Sequence, residues 1–206
     1  MARNLQSVVK MSRREGYALH PKAHKGLVKH NVLPGYNSNG RLHTGKGSQY
    51  SIQLREKQKV KRIYGLLEKQ FSNLMKEASK SRANSGVALL ELLERLLDNS
   101  VYRSGFASSR KAARQLVSHG HFLLNGRRVD IPSIRLKVGD KLSLREKSKK
   151  SSYFLHIDDL SPVPSEIPDW LKVNRKKFEI EVSSLPVRDN AEVDINEQLI
   201  VEYYSR

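Results

Sequence analysis

Glycines and a lysine near residue 40 have the spacing of a phosphate-binding loop. Gly40-Arg-Leu-His-Thr-Gly45-Lys46 fills the first seven positions of that pattern, in which backbone amides surround a nucleotide phosphate. The eighth position holds Gly47 instead of the Ser or Thr that would bind magnesium. A buried strand should also precede such a loop, whereas the chain here reads Leu33-Pro-Gly-Tyr-Asn-Ser-Asn. The pattern therefore does not support nucleotide hydrolysis.

Four histidines, His20, His24, His30 and His43, could in principle form a metal site, since the first two would share one face of a helix. No carboxylate or thiolate lies close by to complete a tetrahedral set of ligands, and the chain contains no cysteine. We therefore predict no metal site and interpret these histidines as contacts for phosphates or as partners for base stacking. The lack of cysteine also excludes disulfides and thiolate catalysis.

The carboxylates and hydroxyls of the chain are not grouped as catalysis requires. Asp158-Asp159 are adjacent and so point in different directions, and Glu179 and Glu181 lie in a polar segment without the features of a pocket. His119 lies about three helical turns from Ser109, beyond the reach of proton transfer. We predict no catalytic residue, no cofactor and no small-molecule substrate.

The charge of the chain indicates an anionic partner. Its 206 residues include 38 Lys and Arg against 21 Asp and Glu, a formal net charge of +17. Residues 1–90 hold 18 basic and 4 acidic side chains, residues 91–150 hold 14 and 6, and residues 151–206 hold 6 and 11. Such an excess repels itself unless a polyanion neutralises it, so the partner should contact the first two thirds of the chain.

Nucleic acid fits this charge better than a membrane surface does. No apolar run approaches the roughly 20 residues that span a bilayer, and Met1-Ala-Arg-Asn-Leu-Gln lacks the apolar core of a signal peptide. We expect a soluble protein that stays in the compartment where it is made. A hydrophobic content of 38% is enough for a folded core.

The first 48 residues read as a basic arm. They are rich in Lys, Arg, His, Gly and Asn, and Pro21 and Pro34-Gly35 interrupt regular structure. We expect at most short helices here, folding against RNA. From Gln53 the pattern changes to apolar residues at steps of three and four, which predicts one long amphipathic helix to Ala78. On its other faces a basic stripe is formed by Arg55, Lys59, Arg62, Lys69 and Lys76.

Two shorter helices and a group of strands follow. Val87 to Asp98 is leucine-rich and predicts a core helix that ends at Asn99. Ser108 and Ser109 can cap a third helix, Arg110 to His119, which Gly120 would end. We expect the inward face of this helix to be formed by Ala112, Ala113, Leu116 and Val117, and the outward face by Arg110, Lys111 and Arg114. Short strands are predicted at 121–124, 127–130, 134–136 and 141–145, with a hairpin turn at Asn125-Gly126.

The C-terminal third differs in charge and in pattern. Pro162, Pro164 and Pro168 predict irregular chain, and Lys177 to Val182 alternates as a strand does. Asp194-Ile-Asn-Glu197 has the spacing of a capping box and predicts a terminal helix. This acidic and aromatic end is more typical of packing or of a protein contact than of an RNA contact.

Several strings, in this order, resemble the small-subunit ribosomal protein S-four family over essentially the whole chain. They are Met11-Ser-Arg-Arg-Glu-Gly16, Gln53-Leu-Arg-Glu-Lys-Gln-Lys-Val60, Arg62-Ile-Tyr-Gly65, Leu97-Asp-Asn99, Val101-Tyr-Arg-Ser-Gly-Phe106, Ala113-Arg-Gln-Leu-Val-Ser-His119, Asn125-Gly-Arg127 and Asp194-Ile-Asn-Glu-Gln-Leu-Ile-Val-Glu202. The resemblance implies an α+β chain, in which a mostly helical domain is completed by the C-terminal segment and carries an inserted RNA-binding module of helices and short antiparallel strands. We place the arm at 1–48, the helical domain at 49–94 with 165–206, and the module at 95–164.

The resemblance also implies a function. The family binds a junction of 16S-type small-subunit ribosomal RNA early in assembly, beside ribosomal protein S-five and the path by which messenger RNA enters. On matching positions it implies ribosomal RNA contact by Arg13, Arg14, Arg55, Lys57, Lys59, Arg62, Arg103, Arg110, Arg114, His119 and Arg127. Arg3, Lys111 and Asn125 complete the predicted set, and Arg41 and Lys46 are predicted to face messenger RNA. We expect exchange of Arg110 and Arg114 for glutamate to abolish binding without unfolding the chain.

The chain departs from the family in its arm, and two other functions compete. Many relatives hold a Cys-based zinc site there, and the family's Pro-Gly-Gln-His-Gly stretch is replaced by Pro34-Gly-Tyr-Asn-Ser-Asn-Gly40. The same module occurs in enzymes that make pseudouridine, but the residues outside it leave no room for their catalytic domain. A free RNA-binding regulator of translation is the other alternative. The family implies a place in the small subunit of a cytoplasmic or an organellar ribosome.

Overall fold

The chain folds into two compact units. The computed structural model describes residues 4, 6–29, 33–34, 47–81, 84–164, 166–192 and 194–205. One unit comprises Met1–Gly86 with Asp194–Arg206, and the other comprises Val87–Val193. Within the described ranges, no helix combines the length and the apolar character needed to cross a lipid bilayer.

The described residues combine helices with a single sheet, which confirms the predicted α+β class. The helices are α1 (Val8–Glu15), α2 (Pro21–Lys29), α3 (Gln49–Ile63), α4 (Glu68–Ala78), α5 (Ser85–Glu94), α6 (Leu97–Arg103), α7 (Arg110–Ser118), α8 (Glu146–Lys149), α9 (Ser152–Leu155), α10 (Ile157–Leu160) and α11 (Glu197–Tyr204). The strands are β1 (Phe122–Leu124), β2 (Arg127–Val129), β3 (Lys141–Leu144), β4 (Leu171–Asn174) and β5 (Glu179–Val182).

The prediction of one long helix from Gln53 to Ala78 is wrong, because the chain breaks between α3 and α4. Gly65 has φ +65°, a left-handed conformation that glycine adopts without steric cost. The Leu66 amide donates to the Lys61 carbonyl and the Gly65 amide donates to the Arg62 carbonyl, the pair of bonds that closes a helix in a Schellman motif. The predicted basic stripe is therefore divided between two helices.

In the first unit, α11 packs on α3. Gln53 donates from Nε2 to Glu202 Oε2 at 2.8 Å, and the Asn196 amide donates to Glu56 Oε1 at 3.0 Å. The side chain of Asn196 caps α11 by accepting from the Leu199 amide, so the predicted cap at Asp194 is wrong by two residues. The buried apolar side chains of this unit include Val60, Ile63, Phe71, Leu74, Met75, Ile195 and Ile200.

The second unit is built on an antiparallel sheet of order β2-β1-β3-β5-β4. Leu142 of β3 lies opposite Ile180 of β5, and both are buried in one core with Phe122 and Trp170. This pairing places residues 166–192 with the sheet, whereas the sequence assigns them to the helical domain. The sequence did not predict β4, because Pro164 and Pro168 precede it and indicate irregular chain. The predicted strand at 134–136 forms only one isolated bridge, Leu96 to Arg135.

The predicted core helix from Val87 to Asp98 also divides. Helix α5 ends at Glu94: the Arg95 amide makes a last helical bond to the Glu91 carbonyl, and neighbouring backbone groups then bond outside the helix. The Leu136 amide donates to the Arg95 carbonyl at 2.9 Å, and the Leu97 amide donates to the Ile134 carbonyl at 2.8 Å. Asn99, predicted to end the helix, instead lies buried inside α6.

The prediction of α7 is confirmed. Ser109 Oγ accepts from the Ala112 amide at 3.2 Å and caps the helix, and Ala113, Leu116 and Val117 are buried. The chain then leaves the helix at Gly120, where the bonds of the Gly120 and His121 amides to Val117 and Leu116 repeat the Schellman pattern. This ending leads directly into β1.

The predicted hairpin between β1 and β2 is confirmed as well. Asn125 and Gly126 have φ of +49° and +81°, the positive values that a type I′ turn requires at both central positions. The Asn125 side chain accepts from the Lys141 amide at 2.9 Å and donates to Asp140 Oδ1 at 2.8 Å. Asn125 thus joins the hairpin to the start of β3.

Replacing Asn125 with alanine should lower the free energy of unfolding by about 1–3 kcal/mol, because a side-chain acceptor is lost and a Cβ residue must hold positive φ. Urea denaturation followed by circular dichroism measures this. Asn125→Gly is the matched control: it loses the same hydrogen bonds but relieves the backbone, so it should recover part of the loss. Equal stability of Asn125→Ala and the unaltered chain would contradict both contributions.

Candidate nucleic-acid interface

The residues predicted to contact RNA fall into three groups. Arg3, Arg41 and Lys46 lie outside the described residues. Arg13 and Arg14 lie on α1, and Arg55, Lys57, Lys59 and Arg62 lie on α3, in the first unit. The second unit holds Arg103, Arg110, Lys111, Arg114, His119, Asn125 and Arg127. The side chains within a group differ in how far they are held by other parts of the protein.

A buried carboxylate on α1 holds two arginines of α3. Glu15 Oε1 accepts from Arg55 Nη1 at 3.1 Å and from Arg62 Nη1 at 2.5 Å, and the Glu15 side chain is fully buried. Burial raises the pKa of Glu15, and the charges of Arg55, Arg62 and Arg14 oppose that rise. The Arg55 side chain remains 37% exposed, so one guanidinium is both anchored and open to solvent.

A cavity of about 400 Å³ lies beside this carboxylate within the first unit. Lys10 and Arg14 of α1 and Arg62 of α3 line it, together with Gln6 and Ser7 at the start of α1. Three cations around one concave space suit an oxyanion such as a backbone phosphate. Lys10 was not among the predicted contacts, although its position one turn before Arg14 was a signal in the sequence.

Lys57 is the predicted contact that the structure makes least accessible. Its ammonium lies 2.7 Å from Glu68 Oε1 and 4.4 Å from the centre of the Tyr203 ring, and its side chain is 4% exposed. Burial would raise the pKa of Glu68, but hydrogen bonds from Lys57 and Lys61 outweigh it and lower that pKa to about 2. Lys57 ties α3 to α4 and α11, and we leave it out of the proposed interface.

The ammonium group of Lys59 also makes contacts within the first unit. Its ammonium lies 3.1 Å from Glu56 Oε1 and donates a short hydrogen bond to the Asp194 carbonyl oxygen. The ammonium also lies 5.5 Å from the centre of the Tyr17 ring. These contacts hold the chain just before α11, so Lys59 is a structural residue as well as a candidate contact.

In the second unit, the arginines of α6 and α7 are held by a network around Glu94. Arg103 donates from Nε and Nη2 to the two oxygens of Glu94, at 3.1 and 2.8 Å. Asn99 donates to Glu94 Oε2 at 2.8 Å and accepts from Arg110 Nε at 2.8 Å. The Arg110 guanidinium lies 4.5 Å from the centre of the Tyr102 ring. Glu94 is almost fully buried, so this network is part of the core.

Arg110 and Arg114 do not face outward freely, contrary to the sequence prediction. Arg114 Nε lies 2.7 Å from Asp98 Oδ2, and the side chains of Arg114 and Arg110 are 16% and 15% exposed. Burial raises the pKa of Asp98, and Arg114 opposes that rise most strongly. A glutamate at 114 would leave the buried Asp98 without its counter-charge, which typically costs about 3–5 kcal/mol. Charge reversal there tests folding as much as binding.

Cations and rings converge where α7 ends and the hairpin begins. Arg145 Nη1 donates to the Gly120 carbonyl at 3.1 Å, and Arg128 covers Gly120 so closely that a Cβ there would lie 2.5 Å from its Nε. The rings of His119 and His121 lie 6.0 Å apart. Burial lowers the pKa of His121, and the neighbouring His119 and Arg145 lower it further. We call these residues the Gly120 cluster.

Exposed side chains occur in the Gly120 cluster and elsewhere on α7 and β2. Lys111 on α7, His119, and Arg127 and Arg128 on β2 are all exposed. Sequence reasoning missed Arg128 and Arg145, although two adjacent arginines straight after a hairpin turn were a visible signal. Charged donors with imidazole rings can bind phosphates and stack on bases. Within the described ranges, no group of three or more His, Asp or Glu is placed to hold a metal ion.

Comparison with known proteins assigns both parts of the chain to a class. Residues 3–94 match the family description "Ribosomal protein S4/S9 N-terminal domain", and residues 95–142 match "S4 domain". Apart from Arg145, the Gly120 cluster lies within the second match. The chain thus has the domain composition of a ribosomal protein of the S4 type.

Full-length relatives identify the family. The chain is 46% identical to "Small ribosomal subunit protein uS4" of Chlorobium limicola over 207 residues, 48% to that of Clostridioides difficile over 213, and 47% to that of Pelobacter propionicus over 214. Each alignment covers 100% of both chains. This chain belongs to the uS4 family, which confirms the resemblance drawn from the sequence strings.

The low pKa of Glu68 predicts an acid-sensitive contribution to stability. Because its folded pKa of about 2 lies below the usual 4.5, the stabilisation is fully present above pH 4.5 and is lost as pH falls toward 2. The difference in unfolding free energy between the unaltered chain and Glu68→Gln should therefore shrink across that interval. Urea denaturation at a series of pH values measures it. A difference independent of pH would show that the charge of Glu68 is not the cause.

Proposed function

We propose that the chain is a structural component of the small ribosomal subunit, with no enzymatic role, and that it binds 16S-type ribosomal RNA through cations of both units. The relatives are named as small ribosomal subunit proteins, and they align with this chain from end to end. The Gly120 cluster is the observation that carries the proposal. It places two arginines and two imidazole rings around Gly120, of which Arg128 and His119 are exposed, and all but Arg145 lie in the part that matches the S4 domain.

RNA fits the Gly120 cluster in two respects. Arg127, Arg128 and Lys111 are long, exposed side chains that can follow a phosphate backbone. His119, which follows α7, is an exposed ring that can stack on an unpaired base. The combination is typical of a folded RNA, in which phosphates and unstacked bases occur close together.

The two units support a role in early assembly. The cavity lined by Lys10, Arg14 and Arg62 offers one set of cations, and the Gly120 cluster offers another on a separate compact unit. Joined cation sets can bind different helices of one RNA junction with an avidity greater than either has alone. A primary binder of this kind would reduce the freedom of the junction and favour the arrival of later proteins.

Two finer assignments rest on the family resemblance and on charge. Arg41 and Lys46 would face messenger RNA where it enters the subunit, and both lie outside the described residues. The segment from 192 to 204 would contact ribosomal protein S-five. Ile195 and Ile200 of that segment are already buried, so this contact would use the remaining exposed residues of the segment.

Filter binding to fragments of the small-subunit ribosomal RNA junction, at several salt concentrations and with unrelated folded RNA as competitor, tests the proposal. Specific binding should resist the competitor. The logarithm of affinity should fall with the logarithm of salt by roughly 0.7–0.9 for each phosphate that the protein neutralises. Equal affinity for any folded RNA would show that the protein binds RNA nonspecifically through its charge, and would contradict the proposal.

A double variant of two exposed cations, one on α7 and one on β2, tests whether this surface contacts RNA. Lys111→Glu with Arg127→Glu should weaken binding by about 10- to 100-fold and reduce the salt slope by roughly 1.5, because two phosphate contacts are lost. Both side chains are exposed, so thermal unfolding should hardly change. Lys176→Glu, an exposed residue between β4 and β5, is the control for charge alone. If Lys176→Glu weakens binding as much per reversed charge as the double variant does, Lys111 and Arg127 are not RNA contacts.

A further inference from the structure

A carboxylate bridges two of the candidate RNA-contacting arginines. Glu192 Oε1 accepts from Arg110 Nη2 at 2.9 Å and lies 3.7 Å from Arg103 Nη2. One oxygen therefore lies between two guanidinium groups. This is the arrangement that two arginines make around an oxygen of a phosphate.

Glu192 differs from the other carboxylates of this region. Glu94 and Asp98 have side chains that are 1% and 5% exposed, and each is enclosed by the core of the second unit. The side chain of Glu192 is 25% exposed and extends from chain outside the helices and strands. Solvent can therefore reach the position that Glu192 occupies.

The two arginines are held by groups other than Glu192. Arg103 makes its paired bonds to Glu94, and Arg110 donates to Asn99 and stacks on Tyr102. Departure of Glu192 would thus leave both guanidiniums oriented, with their Nη2 groups turned toward the vacated position. Removing Glu192 would also leave the surroundings of the two arginines with one negative charge fewer.

We propose that Glu192 occupies the place of an RNA backbone phosphate between Arg103 and Arg110, and that RNA must displace this carboxylate to bind there. The inference rests on the proposed function and assigns to this site a built-in competitor. Glu192 weakens RNA binding and suppresses binding of isolated phosphates, because only an RNA that makes further contacts compensates for the displacement. It therefore leaves the site unoccupied by isolated phosphate groups at concentrations at which a folded RNA with further contacts still binds.

Displacement requires little movement of the backbone. Ala191, next to Glu192, is 5% exposed, and its amide donates to the Arg188 carbonyl at 3.1 Å. The chain can stay anchored there while the glutamate side chain rotates about its own bonds into water. The side chain regains rotamer freedom when it does so, which offsets part of the lost ion pairing.

Glu192→Gln removes the charge and keeps the shape. In filter binding to the ribosomal RNA junction, it should bind roughly tenfold more tightly than the unaltered chain, as loss of one competing charged hydrogen bond implies. Glu166→Gln is the matched control, because Glu166 is exposed in the same unit and lies outside this network. It should change the affinity by less than about twofold. Glu192→Asp keeps the charge on a shorter side chain and should fall between the two.

The outcomes separate this inference from the proposed function. Tighter binding by Glu192→Gln but not by Glu166→Gln supports the inference that Glu192 competes with an RNA phosphate. Unchanged or weaker binding by Glu192→Gln overturns it, and weaker binding would assign Glu192 to holding the arginines in place. If the glutamine variant does not fold, Glu192→Asp decides alone: binding no tighter than that of the unaltered chain overturns the inference. Failure of the unaltered chain to bind the junction specifically overturns the proposed function, and the inference with it.

Discussion

Buried carboxylates that hold arginines are the interaction on which both units depend. Glu15 holds Arg55 and Arg62 between α1 and α3, Glu94 holds Arg103, and Asp98 holds Arg114. Burying a carboxylate costs several kcal/mol of lost hydration, which the guanidinium offsets only in good geometry. The forked bonds of Arg103 to both oxygens of Glu94 meet that requirement. These ion pairs hold several arginines in fixed positions, in a chain whose formal net charge is +17.

This constraint divides the cations into two kinds. Arg114 and Lys57 support the fold, since each is a partner of a carboxylate and little of its side chain is exposed. Lys111 and Arg127 lie exposed and are available to a partner. Arg110 belongs between the two kinds, because its contacts with Asn99 and Tyr102 orient a guanidinium whose Nη2 group reaches Glu192. A loss of RNA binding therefore has different causes at different arginines, and only the exposed ones report on contact alone.

The sequence predicts the features that depend on neighbouring residues. The cap at Ser109, the apolar face of α7 and the turn at Asn125-Gly126 are each encoded within a few positions, and all are confirmed. The break at Gly65 was equally local, but the apolar periodicity continues across it and concealed it. Contacts between distant positions could not be predicted. Arg110 and Glu192 are 82 residues apart, and β5 pairs with β3 across a proline-interrupted segment. No local pattern in the sequence indicates either of these two contacts.

The distribution of charge gives the two units different ways of attracting RNA. By sequence, the first unit holds 19 basic and 7 acidic residues, and the second holds 19 and 14. A net charge of +12 attracts a polyanion from a distance, whereas +5 with many internal ion pairs gives a weaker field. In the proposed interface, recognition by the second unit would therefore depend on local geometry, as in the Gly120 cluster and in the pair Arg103 and Arg110. A carboxylate such as Glu192 costs little long-range attraction there, because the first unit supplies most of it.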